Sequence, residues 1–186
     1  MNKCDRCRDR EATILFTDDW QEWLCNRCFN KMISEEIGVT LETMPEEIEV
    51  NDHSGTRRNF TVQQRLYPNG IFIDATEGTE FGYQFAVHGE LECNQTELFE
   101  KLKDKVQRGV AKRFTKVGEY PGGQKYSAII DDEVVGHIDY DEMSSSTPMI
   151  VIDGQPYTWE QLGEMVNSFE GFQFQMKFYD KTDDVE

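Results

Sequence analysis

Four of the five cysteines in this 186-residue chain fall into two Cys-x-x-Cys pairs, Cys4 with Cys7 and Cys25 with Cys28, separated by 17 residues. Two thiolates three positions apart on a tight turn can grip one side of a metal ion, and two such turns close a tetrahedral shell. Zinc suits this set best, because it accepts thiolates readily and imposes no geometry of its own; iron in a four-thiolate site is the alternative. Four protein ligands leave no open position for water or substrate. The chemistry implied is therefore structural, with Zn2+ holding a fold together. One Cys-x-x-Cys pair could exchange disulfides, but two pairs without a βαβ setting argue against a redox role. Two disulfides would require an oxidising compartment. Met1-Asn-Lys-Cys4 enters the first pair with no apolar leader, so the expected location is the cytoplasm.

The elements needed to bring the pairs together are legible. Ala12–Thr17 and Trp20–Leu24, rich in β-branched and aromatic residues, flank an Asp18-Asp19 turn and predict a hairpin that returns the second pair to the first. After Cys28, Phe29, Met32 and Ile33 continue at helical spacing through Ile37 to Gly38, a natural stop. Knuckle, hairpin, knuckle and helix is the order of a treble-clef zinc module.

Cys4-x-x-Cys7, Arg10, Ala12-Thr13, Phe16-Thr17 and Leu24-Cys25-x-x-Cys28 resemble the first zinc module of the McsA-type activators of bacterial protein-arginine kinase, and more loosely the treble-clef zinc domain of the ClpX unfoldase. The likeness covers about thirty residues. It implies a bacterial intracellular protein whose zinc module contacts another protein, because such modules dimerise or dock partners in both families. The chain lacks the second set of paired cysteines and the coiled-coil motif of the first family, and the nucleotide-binding motor of the second, so neither activity is carried over. The remainder resembles uncharacterised bacterial domains that follow such modules, which adds no mechanism.

Charge narrows the partners. The chain carries 36 acidic and 19 basic residues, a formal charge of −17. Residues 1–31 are balanced, so the excess lies beyond them. A tight phosphate-backbone binder needs a concentrated basic surface, and this balance opposes nucleic acid. No apolar run approaches the length of a membrane-spanning helix.

The expected division is a zinc module at 1–37, a linker at 38–58 with one short edge strand at Ile48 and Val50, an α+β domain at 59–180, and a disordered acidic tail at 181–186. In the α+β domain, Phe60, Val62 and Leu66 alternate with polar residues, turn at Tyr67-Pro-Asn-Gly70 and return through Ile71–Ala75. Tyr83, Phe85, Val87, Leu91 and Cys93 then predict one longer strand, with Cys93 packed inward and His88 on the opposite face. Asn94 with Glu97 opens a helix whose apolar stripe runs from Leu98 to Phe114, and Lys101, Lys103, Lys105, Arg108 and Lys112 fill much of its other side.

Further on, Tyr126–Ile130 and Val134–Tyr140 predict a second hairpin around Asp131-Asp-Glu133, and Met143–Pro148 a flexible loop. Met149–Ile152 before Asp153-Gly154 is the strongest hairpin signal in the chain, and Thr158 with Gln161 caps a second helix. Phe172, Phe174, Met176 and Phe178 alternate with Gln173, Gln175, Lys177 and Tyr179, which predicts a last strand with an aromatic face on the core. The fold class is α+β: a treble-clef zinc module followed by six or seven mostly antiparallel strands and two amphipathic helices.

The metal set is Cys4, Cys7, Cys25 and Cys28, and no catalytic or cofactor-binding residues stand out. Function reads as a protein-interaction or regulatory adaptor, docking through Trp20, Trp23, Arg10 and Arg27 because aromatic and arginine side chains anchor interfaces. Two alternatives stay open. One is an enzyme with a site built from His88, His137, Asp139 and Tyr140. The other is a nucleic-acid-linked factor using Arg6, Arg8, Arg10 and Arg27 with the helix lysines.

Overall fold

The computed structural model describes residues 3–17, 21–141, 144 and 146–185. The Asp18-Asp19 turn and Trp20, and Glu142, Met143 and Ser145 of the expected loop, lie outside the described residues. Strands β1 (Ile14–Thr17) and β2 (Gln21–Leu24) pair antiparallel, with Ile14 opposite Leu24 and Leu15 opposite Trp23. Helix α1 (Asn26–Ile37) follows at once and stops at Gly38, whose φ of 73° lets its N–H reach the Ser34 carbonyl at 3.0 Å.

The central element is a four-stranded antiparallel sheet, in spatial order β3 (Glu47–Asn51), β4 (Arg57–Tyr67), β5 (Gly70–Glu77) and β6 (Gln84–Gly89). Its register places Val62 opposite Ala75, Leu66 opposite Ile71, and Ile73 opposite Val87. These residues share one buried face. Helix α2 (Gln95–Ala111) covers that face with Leu98, Phe99, Leu102, Val106 and Val110, each side chain contributing about 1.5–3 kcal/mol by leaving water. The opposite face carries the Arg65–Asp74 ion pair and the Phe72 and His88 rings, whose centroids lie 4.4 Å apart. Between β3 and β4, buried Asp52 gathers Ser54, the Thr56 N–H and Arg58. The Ser54 hydroxyl leads the donors that outweigh burial and hold its carboxyl far below the usual range.

One apolar cluster runs from Cys4, Leu24, Phe29 and Ile33 of the N-terminal module through Ile48 and Phe60 to Val110. The residues between α1 and β4 therefore do more than link. Ile48 and Val50 do form an edge strand, β3, and Ile48 is 4% exposed. Gln95 of α2 holds the preceding stretch by donating to the Thr40 carbonyl and accepting from Glu42 N–H, both at 2.9 Å.

The rest of the chain builds a second, smaller core. Strands β7 (Thr115–Glu119) and β8 (Lys125–Ile129) form a hairpin across the Tyr120–Gln124 turn. Strands β9 (His137–Asp139), β10 (Met149–Ile152) and β11 (Gln155–Tyr157) form a three-stranded sheet in the order β11-β10-β9. Helix α3 (Trp159–Val166), opened by the Thr158/Gln161 capping box, packs Met165 and Leu162 with Ile150, Ile152, Tyr157, Phe114 and Ile129.

Several expectations are corrected here. The predicted pairing of Tyr126–Ile130 with Val134–Tyr140 does not form: β8 pairs backwards with β7, and β9 pairs forwards with β10. Both are short antiparallel connections, and alternation alone cannot choose between them. The strand before α2 ends at Gly89, because a turn through Glu90–Cys93 must reverse the chain; Cys93 still packs against the core. Helix α2 ends at Ala111, and Phe114 belongs to the second core. Residues 172–179 form no strand and lie on the surface, with Phe174 88% exposed. Residues 181–185 of the acidic tail, expected to be disordered, lie along α2. Lys105 Nζ donates to the Lys181 and Asp183 carbonyls, and Arg108 pairs with Asp184 at 2.9 Å. A basic helix face and an acidic tail in one chain are at high effective concentration, so each neutralises the other.

Candidate metal centre

The two knuckles are held by backbone. Cys4 N–H donates to the Arg10 carbonyl at 2.9 Å and Arg8 N–H to the Cys4 carbonyl at 2.8 Å, with Arg8 left-handed at a φ of 56°. This closes the first pair into a turn. Asp5 clamps the turn to β2, its N–H donating to the Trp23 carbonyl at 2.8 Å and its carboxylate accepting the Trp23 N–H at 2.7 Å. Arg6 adds an ion pair with Glu22 at 2.8 Å. The second pair straddles the start of α1: Cys25 is its N-cap and Cys28 lies in its first turn, so two sulfurs sit at the positive end of the helix dipole.

As a result the sulfurs of Cys4, Cys7, Cys25 and Cys28 all lie within 4.8 Å of one another. Cys7 Sγ and Cys25 Sγ are 3.8 Å apart. A tetrahedral shell with metal–sulfur bonds of ~2.3 Å requires sulfur separations of ~3.8 Å, so the donor set fits such an ion closely. Cys4 and Cys25 are buried, Cys28 is half-buried and Cys7 is exposed. The four cysteines could thus hold a metal ion in a site with a sealed floor and an open rim.

The thiols are not equivalent. Burial raises the Cys4 thiol, but N–H groups of Cys7, Cys25 and Arg6 outweigh it and draw the group down to about 6. The N–H groups of Arg10 and Asp9 lower Cys7. Cys28 is pushed up to about 12, first by burial and then by the neighbouring sulfurs. Four converging thiolates cannot share this space without a cation, and the proton on Cys28 is what a metal would replace.

Three family models match the chain. Residues 3–40, 42–111 and 115–183 are similar to domains of unknown function, DUF7685, DUF7686 and DUF7713 in turn. No curated protein and no solved structure matches it. The first boundary falls at the stretch that Gln95 holds, and the second falls between the end of α2 and the start of β7, where the two cores divide. The cysteine cluster lies wholly within the first matched segment.

The residues named for an enzyme site do not converge on one cleft. His88 Nε2 lies 3.1 Å from the Asn69 carbonyl, with its ring against Phe72. His137 is held below its ordinary range by burial, with Asp139 3.9 Å away, and Tyr140 is exposed. The cleft beside Pro68, Asn69, Glu90, Leu91 and Glu92, about 310 Å³, includes none of these four. The residues named for docking are split. Trp23, Arg10 and Arg27 are exposed, and Trp20 lies outside the described residues. Sequence reasoning missed Leu15, which stands directly opposite Trp23 and is 44% exposed. The signal was available, because strict alternation in β1 puts Leu15 outward once Ile14 and Phe16 face the core. Among the described residues, no helix is long and apolar enough to cross a membrane.

Proposed function

We infer that this chain is a zinc protein whose N-terminal module docks another protein, an adaptor or regulator of a bacterial cytoplasm. Zn2+ is held by Cys4, Cys7, Cys25 and Cys28 and fixes the hairpin and α1 as one rigid piece. The observation that carries the docking is the Leu15–Trp23 pair. On a hairpin this small, the inward positions are filled by Ile14, Phe16 and Leu24, yet the facing outward pair is also large and apolar. Cross-strand apolar pairs turned to water stabilise little by themselves; against a partner they supply the central anchor of an interface. The exposed arginines Arg10 and Arg27 are suited to its polar rim. The motif-level likeness to the McsA-type modules supports the same use, and a reducing compartment keeps the thiolates available. The charge of −17 favours a protein partner over nucleic acid.

The test is a full-length Leu15→Ser, Trp23→Ser variant. It is expected to keep one zinc per chain and the wild-type melting profile, and to lose the partners that co-purify with wild type from the native host. Retention of every partner by a folded, zinc-loaded variant would remove this surface from the reading. A protein isolated from its host with a native fold and no bound metal would remove the zinc.

A further inference from the structure

Residues 172–179, Phe-Gln-Phe-Gln-Met-Lys-Phe-Tyr, take no regular secondary structure, and the N–H and C=O groups of 173–179 make no hydrogen bond to any described residue. Phe172, Phe174, Met176 and Phe178 are 70, 88, 53 and 71% exposed. Water can satisfy the backbone, but four large apolar side chains at alternate positions of an unpaired segment are the pattern that strand pairing recognises. Nor is the segment a loose end. At its start, Phe172 N–H donates to the Phe169 carbonyl at 2.9 Å and the two rings meet edge-on. Beyond its finish, Lys181 reaches Gln84 and its carbonyl accepts from Lys105, while Asp184 pairs with Arg108. The segment is strung between two anchors, which cuts the ordering cost of pairing it.

We propose that this segment pairs antiparallel with the same segment of a second copy of the chain, about a two-fold axis through Gln175. In an antiparallel pair, residues directly opposite share a face. Centred on Gln175, the register sets Phe172 against Phe178, Phe174 against Met176, and Gln173 against Lys177. Within 172–178 every apolar residue meets an apolar one and no charge meets its like, and Glu170 facing Asp180 just outside confines the pairing to these residues. The charge pattern agrees. In a chain of net charge −17, whose copies repel, residues 171–179 hold no acidic residue and one lysine.

Neither β9 nor β6 offers the segment a free edge of its own length. Strand β9 is three residues long, and on the edge strand β6 Lys105 already occupies the Ala86 carbonyl and holds the tail alongside. The four apolar side chains expose roughly 500–600 Å² per copy, and pairing covers only their flanks between cross-strand neighbours, so the contact falls below the ~1,200 Å² of standard interfaces and the dimer is weak. The result is a closed, modest-affinity dimer whose seam lies outside both hydrophobic cores.

The experiment uses the full-length, metal-loaded chain. Sedimentation equilibrium over about 1–100 μM, a range suited to dissociation constants near the micromolar scale, should show a monomer–dimer equilibrium, and Phe174→Asp should shift it to monomer without altering metal content or the melting curve. Gln175→Cys should cross-link under mild oxidation, since Cα atoms facing across an antiparallel pair lie ~4.5–5.5 Å apart, within disulfide reach. Gln173→Cys, facing Lys177, should not, and wild type, with the same five native cysteines, controls for background. A monomer throughout this range overturns the proposal. So does a dimer that survives Phe174→Asp, a stronger cross-link at 173 than at 175, or growth beyond two copies.

Discussion

Asn30 of α1 stands in for a neighbouring strand at Leu66 of β4. Leu66 N–H donates to Asn30 Oδ1 at 3.0 Å, and Asn30 Nδ2 donates to the Gln64 carbonyl at 2.7 Å. Strand β3 pairs with β4 only as far as Thr61, so beyond Val62 the outer edge of β4 would be bare without this amide. Asn26, which follows ligand position Cys25, donates to the same Gln64 carbonyl at 2.9 Å. Gln64 in turn reaches Gln95 of α2. Knuckle, sheet edge and helix are thus joined by one polar chain, and a change at the cysteines is felt at β4.

Asn30→Ala should leave the Leu66 N–H without its partner and the Gln64 carbonyl with Asn26 alone, and destabilise the chain by about 1–3 kcal/mol. For a protein of this size that lowers the melting temperature by roughly 2–4 °C for each kcal/mol. Metal content should not change. The sharper readout is hydrogen exchange at the Leu66 amide, which should quicken; an unchanged Leu66 amide would show that the edge is protected by something else.

Metal removal should reach past the module. With zinc held as proposed, a structural site of this kind contributes roughly 10–16 kcal/mol of apparent free energy to a small module, so chelation should disorder α1. Because α1 carries Asn26, Asn30, Phe29 and Ile33 into the sheet, exchange protection should fall over residues 3–37 and over 62–67 together. The second core, built from Ile150, Ile152, Tyr157 and Met165, should hold its protection. A loss that stops at residue 37 would mean that the sheet closes its own edge.

Affinity for the metal should rise with pH. With Cys28 pushed up to about 12 and Cys4 drawn down to about 6, the metal-free site at neutral pH holds a thiolate at Cys4 and a proton at Cys28. Binding must expel the Cys28 proton, so the metal-bound state has the fewer protons and gains as pH rises, about tenfold in affinity per pH unit for each proton displaced. Below pH 6 Cys4 also protonates, and the dependence steepens. Competition against a chromophoric chelator across this range reads the slope, and a flat profile would exclude proton displacement.

What the sequence made legible was local. The cysteine spacing, the Tyr67–Gly70 and Asp153-Gly154 turns and the caps at Asn94 and Thr158 each lie within a few residues, where backbone geometry and hydrogen bonding choose the conformation. What it concealed was the choice of partner. Alternation in 125–129 and 172–179 identifies a face but not the strand beside it: β8 lies beside β7 rather than β9, and 172–179 enters neither core. Asn30 looks like any polar residue on a helix until β4 comes beside it. Likewise, the 76-residue separation between Arg108 and Asp184 hid a pairing that charge alone favoured.

Asp153 pins the start of β7 to the β10–β11 turn inside the second core. It takes a φ of 55° in the β10–β11 turn, which sequence reasoning found, and its carboxylate accepts from Phe114 N–H, Thr115 N–H and the Thr115 hydroxyl, which it did not. Thr115 is 2% exposed, so these donors have no ready substitute. Asp153→Ala should cost about 3 kcal/mol in the second core, one or two buried donors being left unmet. Its melting should then separate from that of the first core, with metal content unchanged. A single transition shifted as a whole would show the cores to be one cooperative unit.

The final prediction concerns where the chain can be cut. The division expected from sequence places the independent domain at 59–180, but that fragment discards Ile48 of β3 together with Phe29 and Ile33 of α1, all within the first core, and bares the outer edge of β4. Its four-stranded sheet, cut to three strands, should expose apolar surface and unpaired backbone at once and melt without cooperativity, separately from the second core. Residues 1–113 keep the whole of that core, from Cys4 to Val110, with both helices that cover the sheet. This fragment should bind one metal and melt in a single calorimetric transition. Calorimetry on the two fragments decides between the boundaries, and a cooperative melt from 59–180 would restore the division near residue 58.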